Sequence, residues 1–279
     1  VTVTATRREQ NLQQVGIAVT AFSSEMLKDL AVGNTNELMN VTPGLRLQEG
    51  GGGPIIGLLS IRGVAQNDFA GHIEAPNALY IDDVYQPGIS SSIQQFYDVD
   101  RVEVLKGPQG TLFGRNATGG LIHIINKRPT DTFEGFAAVG FGTSSTIHGE
   151  GAISGPLTDA ISARLSVLRN KADGYIENAI GDDLNEDDTS AVRLQFQIKP
   201  NDQLDVLVNG SIYKISDINT GGAYATAGAP DADGLGQYLP PGSPPLYGYV
   251  DADGDPWTGA FDNDGYLNRK QTDFGTRIA

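Results

Sequence analysis

The sequence contains no cysteine, only two methionines and one tryptophan among 279 residues. Disulfides therefore contribute nothing to holding this fold together. The sequence also lacks any run approaching the roughly 18 consecutive apolar residues that a membrane-spanning helix requires. β-Strands remain the one way in which the chain can cross a membrane.

Basic residues are scarce, with 19 Lys and Arg against 34 Asp and Glu, and the net charge is −15. This balance excludes nucleic acid as the main partner, because phosphate binding needs a basic surface. Segment 171–189 has seven acidic residues and one basic, and segment 214–268 has eight and one. These two segments carry 13 of the 15 net negative charges, and their Gly and Pro content indicates loops.

The first half of the sequence has mixed character. Ser23 or Ser24 can cap a short helix over 23–32 that Gly33 ends, and a second helix over 35–40 ends before Pro43. Short apolar runs separated by Gly, Pro, Asn and Asp predict strands. These runs lie at 55–61, 78–85, 99–105 and 121–126. The pattern predicts a compact α+β domain.

After Pro129 the apolar residues alternate with polar ones, as over 161–168, 192–199 and 204–209. A soluble β-sandwich would alternate in the same way and remains an alternative at this point. The turns near 158–159 and 200–202 are short, whereas the intervening acidic connections are long. Short turns at one end and long loops at the other are typical of outer-membrane β-barrels.

The segment RVEVLKGPQGTLFGRNATGGLIHIINKRP, residues 101–129, closely resembles the end of the plug domain in TonB-dependent receptors. Other family blocks occur in the expected order. They are VTVTATRREQ at the start, QVGIAVTAFSSEML at 14–27, VTPGL at 41–45, IRG at 61–63 and YIDDVY at 80–85. A nucleotide site at the Gly-rich GPQGTLFG is excluded, because neither the P-loop nor the dinucleotide spacing occurs.

The resemblance implies an α+β plug domain followed by antiparallel transmembrane β-barrel strands, within a plugged barrel of about 22 strands. It divides the chain into a TonB-box-like segment at 1–6, a plug at 7–132 and barrel strands over 133–279. The long acidic loops at 171–189 and 214–268 would be extracellular. The sequence predicts about six strands, too few to close around a plug, so we expect them to be part of a longer chain.

The same resemblance implies energised uptake of a bulky, scarce nutrient through the outer membrane, with a ferric siderophore as the leading cargo. The implied partners are the TonB energy-coupling complex at the periplasmic face, outer-membrane lipid and the ligand. Alternatives are a cobalamin or glycan importer, a signal transducer with a domain before Val1, and a surface-binding or assembly scaffold. No triad or carboxylate pair supports catalysis, so we expect no enzyme and no required cofactor.

Two sets of residues would carry this mechanism. The resemblance implies a TonB-coupling role for Val1, Thr2, Val3, Thr4, Ala5 and Thr6, although an ordinary disordered tail is the alternative. It also implies buried ion pairs that gate the plug, involving Arg62, Glu103, Lys106 and Arg115. Breaking a buried pair is costly, so such pairs can act as a switch.

The long second loop contains two candidate binding features. Aromatic side chains suited to stacking on a ligand are Tyr224, Tyr238, Tyr247, Tyr249 and Trp257. The carboxylates with the 1-3-5 spacing of a calcium loop are Asp251, Asp253 and Asp255. Pro256 and Asp262 depart from the EF-hand pattern, so only a looser structural calcium site is predicted. The three histidines, including His123 in an apolar strand, are scattered in the sequence and suggest no metal site.

Overall fold

The computed structural model describes most of the first 218 residues and parts of the remainder. The described residues are 2–5, 7–8, 10–50, 53–66, 74–87, 92–178, 183–201, 203–218, 227–230, 236–238, 258–259 and 267–278. They form an N-terminal domain, ending near residue 126, and a six-stranded sheet that begins at Glu134. None of the helices among these residues is long and apolar enough to cross a membrane.

The N-terminal domain is built from short strands and helices. Its strands are β1 (Thr2–Val3), β2 (Gln10–Asn11), β3 (Ala18–Ser23), β4 (Leu45–Gly50), β5 (Gly53–Ile61), β6 (Asn77–Ile81), β7 (Val84–Tyr85), β8 (Val99–Lys106) and β9 (Gly120–Asn126). Its helices are a 3-10 turn (Leu12–Gln14), α1 (Ser24–Asp29), α2 (Thr35–Val41) and α3 (Gly110–Phe113). The helices and strands that the sequence predicts here are present, with ends that differ by a few residues.

Local chemistry explains where the two longer helices begin. The Ser23 hydroxyl accepts a hydrogen bond from the backbone N–H of Met26 at 3.3 Å, and Asn34 accepts one from Glu37 at 2.8 Å. Each cap satisfies a backbone donor that the first helical turn leaves without a partner. The first helix ends at Asp29, earlier than the sequence predicts, because Leu30 leaves helical geometry.

A five-stranded sheet in the order β3-β8-β9-β6-β7 forms the centre of this domain. β6 and β9 run parallel, and the other neighbours are antiparallel. The strand β9 begins at Gly120, whose φ of +146° and closeness to the Leu105 carbonyl oxygen leave no room for a side chain. One face of the sheet packs on the main apolar core, which includes Phe22, Leu38, Ile61, Val102 and Ile122.

The six-stranded sheet is an antiparallel meander in the order β10-β11-β12-β14-β15-β19. Its strands are β10 (Glu134–Phe141), β11 (Ile147–Thr158), β12 (Ile161–Ala172), β14 (Asp187–Asn201), β15 (Leu204–Ile218) and β19 (Leu267–Ile278). The connections carry the short strands β13 (Glu177–Asn178), β16 (Ala227–Pro230), β17 (Gly236–Tyr238) and β18 (Thr258–Gly259).

The apolar face of this sheet points outward and the polar face points inward. On β12, Leu165 is 39% exposed while Ser166 is fully buried. On β14, Val192 is 46% exposed while Arg193 is 4% exposed. A soluble β-sandwich would bury the apolar face, so this alternative is wrong. An apolar exterior around a polar interior is the arrangement of a transmembrane β-barrel.

Strands extend further into both acidic segments than the sequence predicts. Residues 171–189 were expected to form one loop, but Lys171 lies opposite Asp188 in the β12–β14 ladder. Pairing of opposite charges across the strands favours this extension. The connection between these strands is therefore 173–186, and β15 likewise continues past Lys214 to Ile218.

Candidate functional site

The described part of the N-terminal segment, residues 2–5 and 7–8, is docked against the N-terminal domain. Its strand β1 pairs with β2, and Val3 and Ala5 are fully buried. They complete an apolar cluster, called here the docking cluster, which also contains Ala21, Ala78, Tyr80, Leu105, Phe113, Ala117 and Leu121. Burial of apolar surface therefore holds the described part of this segment in place.

Polar contacts beside the docking cluster converge on one carboxylate. Oε1 of the fully buried Glu103 accepts hydrogen bonds from the Thr4 backbone N–H at 2.8 Å and from the Thr4 hydroxyl at 3.2 Å. The same oxygen accepts from Arg101 Nε at 2.8 Å, and Arg101 Nη2 donates to the Thr4 hydroxyl at 3.2 Å. We call Thr4, Arg101 and Glu103 the Glu103 network.

The guanidinium of Arg101 keeps its positive charge in this network. Burial opposes its charge, but its hydrogen bonds and attraction to Glu103 and Asp100 outweigh that effect and raise the pKa of Arg101 above its usual value. Arg101 therefore stays charged and fixes the Glu103 carboxylate facing the N-terminal segment.

Arg7 makes a second set of contacts at the end of the segment. Its Nε donates to the Leu112 carbonyl at 2.9 Å, and its guanidinium lies 4.7 Å from the centroid of the Phe113 ring. A carboxylate oxygen of Asp83 lies 3.7 Å from Arg7 Nη1. These contacts are partly exposed, so each contributes little by itself.

His123 lies beneath this site, opposite Glu103 across the β8–β9 pair. Its Nε2 accepts a 3.3 Å hydrogen bond from the Asp83 backbone, and its ring packs edge-on against Tyr80 and Phe113. Burial lowers the pKa of His123, although Asp83 and Glu103 oppose the shift, so the ring is neutral at neutral pH.

This neutral histidine predicts acid sensitivity of the N-terminal domain. Because the pKa is lower in the folded state, protonation below about pH 6.5 favours the unfolded state. Stability is fully present above that pH and is lost as the pH falls towards the folded-state pKa. We expect the denaturant midpoint of the purified protein to fall as the pH is lowered from about 6.5. In a His123→Gln variant, the midpoint should depend less steeply on pH. Equal slopes in the two proteins would contradict this role.

Asp98 joins the N-terminal domain to the six-stranded sheet. Its fully buried carboxylate accepts hydrogen bonds from Arg164 Nε at 2.7 Å and Nη2 at 2.6 Å, and from the Ser166 hydroxyl. Arg193 Nη2 lies 3.7 Å from the same carboxylate and donates to the Asp98 carbonyl at 3.0 Å. The Asp98 N–H donates to Glu150 at 2.8 Å. We call this set the Asp98 junction.

Apolar and aromatic contacts surround the Asp98 junction. The Arg193 guanidinium stacks 4.5 Å from the centroid of the Tyr97 ring. Tyr97 packs with buried residues of the sheet, namely Leu168, Ala191, Tyr213 and Ile215. One carboxylate is thus held between two buried guanidiniums beside a buried apolar cluster, where burial strengthens its hydrogen bonds.

Among the described residues, Arg62 and Arg115 form no buried ion pair, so the gating role that the resemblance implies for them stays a prediction. Arg115 is exposed and pairs with exposed Glu74 at 2.9 Å. Arg62 is exposed at a tight turn with φ of +51°, and it makes no ion pair among the described residues. Burial and the neighbouring charge of Arg62 lower the pKa of half-buried Lys106. Only Glu103 of the predicted set lies in a buried pair, and its partner is Arg101.

Several predicted site residues lie outside the described residues. They are Val1, Thr6, Tyr224, Tyr247, Tyr249, Trp257, Asp251, Asp253 and Asp255. Tyr238 lies in β17, but its side chain is not described. Among the described residues, no group of three histidine or acidic side chains is placed to hold a metal ion. The predicted ligand and calcium residues therefore remain predictions.

Sequence reasoning missed the residues of the Asp98 junction. Arg164 and Arg193 occupy polar-face positions of two alternating strands, where polar residues are the normal pattern and give no special signal. Both arginines are buried and therefore need a partner, which comes through tertiary contacts between positions 66 and 95 residues apart. One sequence does not reveal that pairing.

Comparison with known proteins matches these features. Residues 11–121 match the model of the TonB-dependent Receptor Plug Domain. The pesticin receptor of Yersinia pestis is 34% identical over 191 residues, which are 67% of this chain and 28% of that protein. The ferripyoverdine receptor of Pseudomonas aeruginosa is 28% identical over 169 residues, 58% of this chain and 19% of that protein.

Solved structures agree with this match. The ferric yersiniabactin uptake receptor of Yersinia pestis superimposes with a TM-score of 0.69 at 29% identity, covering 75% of this chain and 33% of that one. The ferripyoverdine receptor of the outer membrane of P. aeruginosa gives a TM-score of 0.73 and covers 100% of this chain and 34% of that one. Its 18% identity supports the fold alone.

A plug domain joined to an antiparallel sheet with its apolar face outward defines a plugged β-barrel protein of the outer membrane. The chain belongs to the TonB-dependent receptor family. It spans 28% of the length of the pesticin receptors that it matches. The relatives are named as receptors or transporters.

Proposed function

We propose that this protein imports a ferric siderophore across the outer membrane and that energy reaches it through the N-terminal segment. The observation that carries the proposal is the docked N-terminal segment, which is held by two buried apolar residues and one hydrogen-bonded threonine. Such a segment can leave and return without unfolding the five-stranded sheet behind it. A segment with that property can be bound by an energy-coupling partner when it is undocked.

The names of the relatives support the choice of cargo. They include receptors for ferric pyoverdine, ferric enterobactin and ferrioxamine, and a solved uptake receptor for ferric yersiniabactin. These cargoes share a ferric ion wrapped in an organic chelator. The proposed partners are therefore such a chelate outside, membrane lipid along the exposed apolar strand face, and the TonB complex at the periplasmic face. The cargo passes through chemically unchanged, so the protein acts as no enzyme.

A vitamin B12 importer is the second candidate. A vitamin B12 transporter of Vibrio vulnificus is 24% identical over 180 residues, 64% of this chain. The ferric yersiniabactin uptake receptor is 29% identical and covers 75% of this chain, and both values are higher. We therefore place cobalamin second.

Growth under iron limitation tests the proposed cargo. Ferric siderophores of several chelator classes are supplied one at a time as the sole iron source. Cells that lack the gene should fail to grow on one chelator class and grow on the others, and the gene on a plasmid should restore growth. Growth on free iron salts at high concentration is the control. A deletion that changes growth on cobalamin and on no ferric chelate would contradict the siderophore assignment.

A further inference from the structure

The Glu103 network differs from the Asp98 junction in one physical respect. In the Glu103 network, two of the three donors to the bound oxygen come from Thr4, which belongs to a segment at the surface of the domain. The other oxygen, Glu103 Oε2, is buried and accepts no hydrogen bond from any described residue. The carboxylate is therefore only partly satisfied, even while the segment is docked.

If the segment undocked, water would replace the hydrogen-bond donors that Glu103 loses. The two Thr4 donors would leave, but water would reach both carboxylate oxygens at the same time. Arg101 would stay in place, because it is fixed within β8 two residues from Glu103. The loss on undocking is therefore limited, which permits a reversible equilibrium. The Asp98 junction differs, because its side-chain partners belong to β11, β12 and β14 of the six-stranded sheet and cannot leave without disrupting that sheet.

We propose that Arg101 and Glu103 are positioning residues that set the fraction of the N-terminal segment that is docked. Arg101 holds Glu103 in the orientation that receives Thr4, and Glu103 holds Thr4 so that Val3 and Ala5 enter the docking cluster. This regulation rests on the proposed function, in which the segment is handed to an energy-coupling partner. The docking equilibrium itself exists without ligand or partner.

Asp100 provides a matched control. Its carboxylate pairs with the same guanidinium, at Arg101 Nη1, but it is half exposed and, within the described part of the chain, makes no hydrogen bond with Thr4. Changing Asp100 to asparagine removes one negative charge beside Arg101, as changing Glu103 to glutamine does. Only the second change weakens the acceptor that holds the segment.

Spin labels report the equilibrium directly. One label is placed at Thr2, which is exposed on β1, and a second, in a separate protein, at Ala18, which is exposed on β3 beside β8. Spectra are recorded on the protein in outer-membrane vesicles, with no ligand and no partner added. The mobile fraction at Thr2 measures undocking, while the label at Ala18 reports whether the sheet stays folded.

We expect Glu103→Gln to raise the mobile-to-immobile ratio at Thr2 by about tenfold, the size expected for loss of a charge-assisted hydrogen bond. Thr4→Val, which removes the hydroxyl and keeps the backbone N–H, should raise it by about threefold. Asp100→Asn should leave it unchanged, and the label at Ala18 should stay immobile in all three variants.

Two results would overturn the proposal. The first is an unchanged ratio at Thr2 in Glu103→Gln with the sheet intact. The second, which applies if Glu103→Gln mobilises Ala18 because the sheet unfolds, is an unchanged ratio in Thr4→Val. Failure of siderophore uptake would leave these spectra unaffected, so the two proposals fail separately.

Discussion

Replacing Asp98 by asparagine should destabilise the protein by about 3–5 kcal/mol, the usual cost of removing one partner from a buried ion pair. The change would remove the buried counter-charge of Arg164, which would keep its pair with half-exposed Glu134 at 2.8 Å, and would weaken the attraction to Arg193. Guanidinium denaturation of the purified protein in detergent, followed by near-ultraviolet circular dichroism, measures the effect. The spectrum reports the packing of the aromatic side chains, which include Tyr97 at the junction.

Asp188 is the matched control for this prediction. It also pairs with an arginine, Arg169, but both side chains are partly exposed on the six-stranded sheet. Asp188→Asn should therefore change stability by less than about 1 kcal/mol. Equal destabilisation by the two substitutions would contradict the view that the Asp98 junction anchors the N-terminal domain to the strands.

Deleting residues 2–5 should abolish energised uptake while leaving ligand binding intact. The deletion removes the two apolar residues of the docked segment and the threonine of the Glu103 network, but none of the five-stranded sheet. Binding of a ferric siderophore to whole cells and its accumulation inside them should therefore separate. We expect accumulation at the level of cells without the gene and binding at the level of the unchanged protein.

Arg8 supplies the control for the deletion. It lies in the same segment, and its side chain is exposed. Arg8→Ala should transport as the unchanged protein does. Accumulation that survives deletion of residues 2–5 would show that energy does not enter through this segment.

The elements of the fold are largely predictable from the sequence because they depend on local patterns. Ser23 and Asn34 begin the two longer helices through caps that a sequence displays. Alternation predicts the strands after Pro129, and the fold class is confirmed. The two residues that break the alternation, Leu168 and Leu207, are buried on the polar face. Leu168 is there because it packs against Tyr97 of the N-terminal domain.

The site is less predictable, because its pairs connect distant parts of the chain. The resemblance to a family pointed to Arg62 and Arg115, yet both are exposed here. The carboxylates that matter are Glu103, held by a neighbour on its own strand, and Asp98, held by arginines from two other strands. Charge type and strand position are visible in a sequence, whereas the partner is decided by how the domain sits on the sheet.

Docking of the N-terminal segment was also not decided by the sequence. A short threonine- and valine-rich terminus is equally compatible with a disordered tail. The structure shows Val3 and Ala5 filling the docking cluster, with Thr4 between them turned to Glu103. The alternation of buried and hydrogen-bonded residues depends on the docking cluster, most of whose other residues lie far along the chain from this segment.

Uptake of radioactive iron presented on siderophores tests the central claim most directly. Cells carrying the unchanged gene should accumulate iron from one chelator class in an energy-dependent manner. A proton uncoupler should reduce this accumulation to the level of cells without the gene, and unlabelled ferric chelate should compete while cobalamin should not. Uptake that is insensitive to the uncoupler, or competed by cobalamin alone, would contradict an energised ferric-siderophore importer.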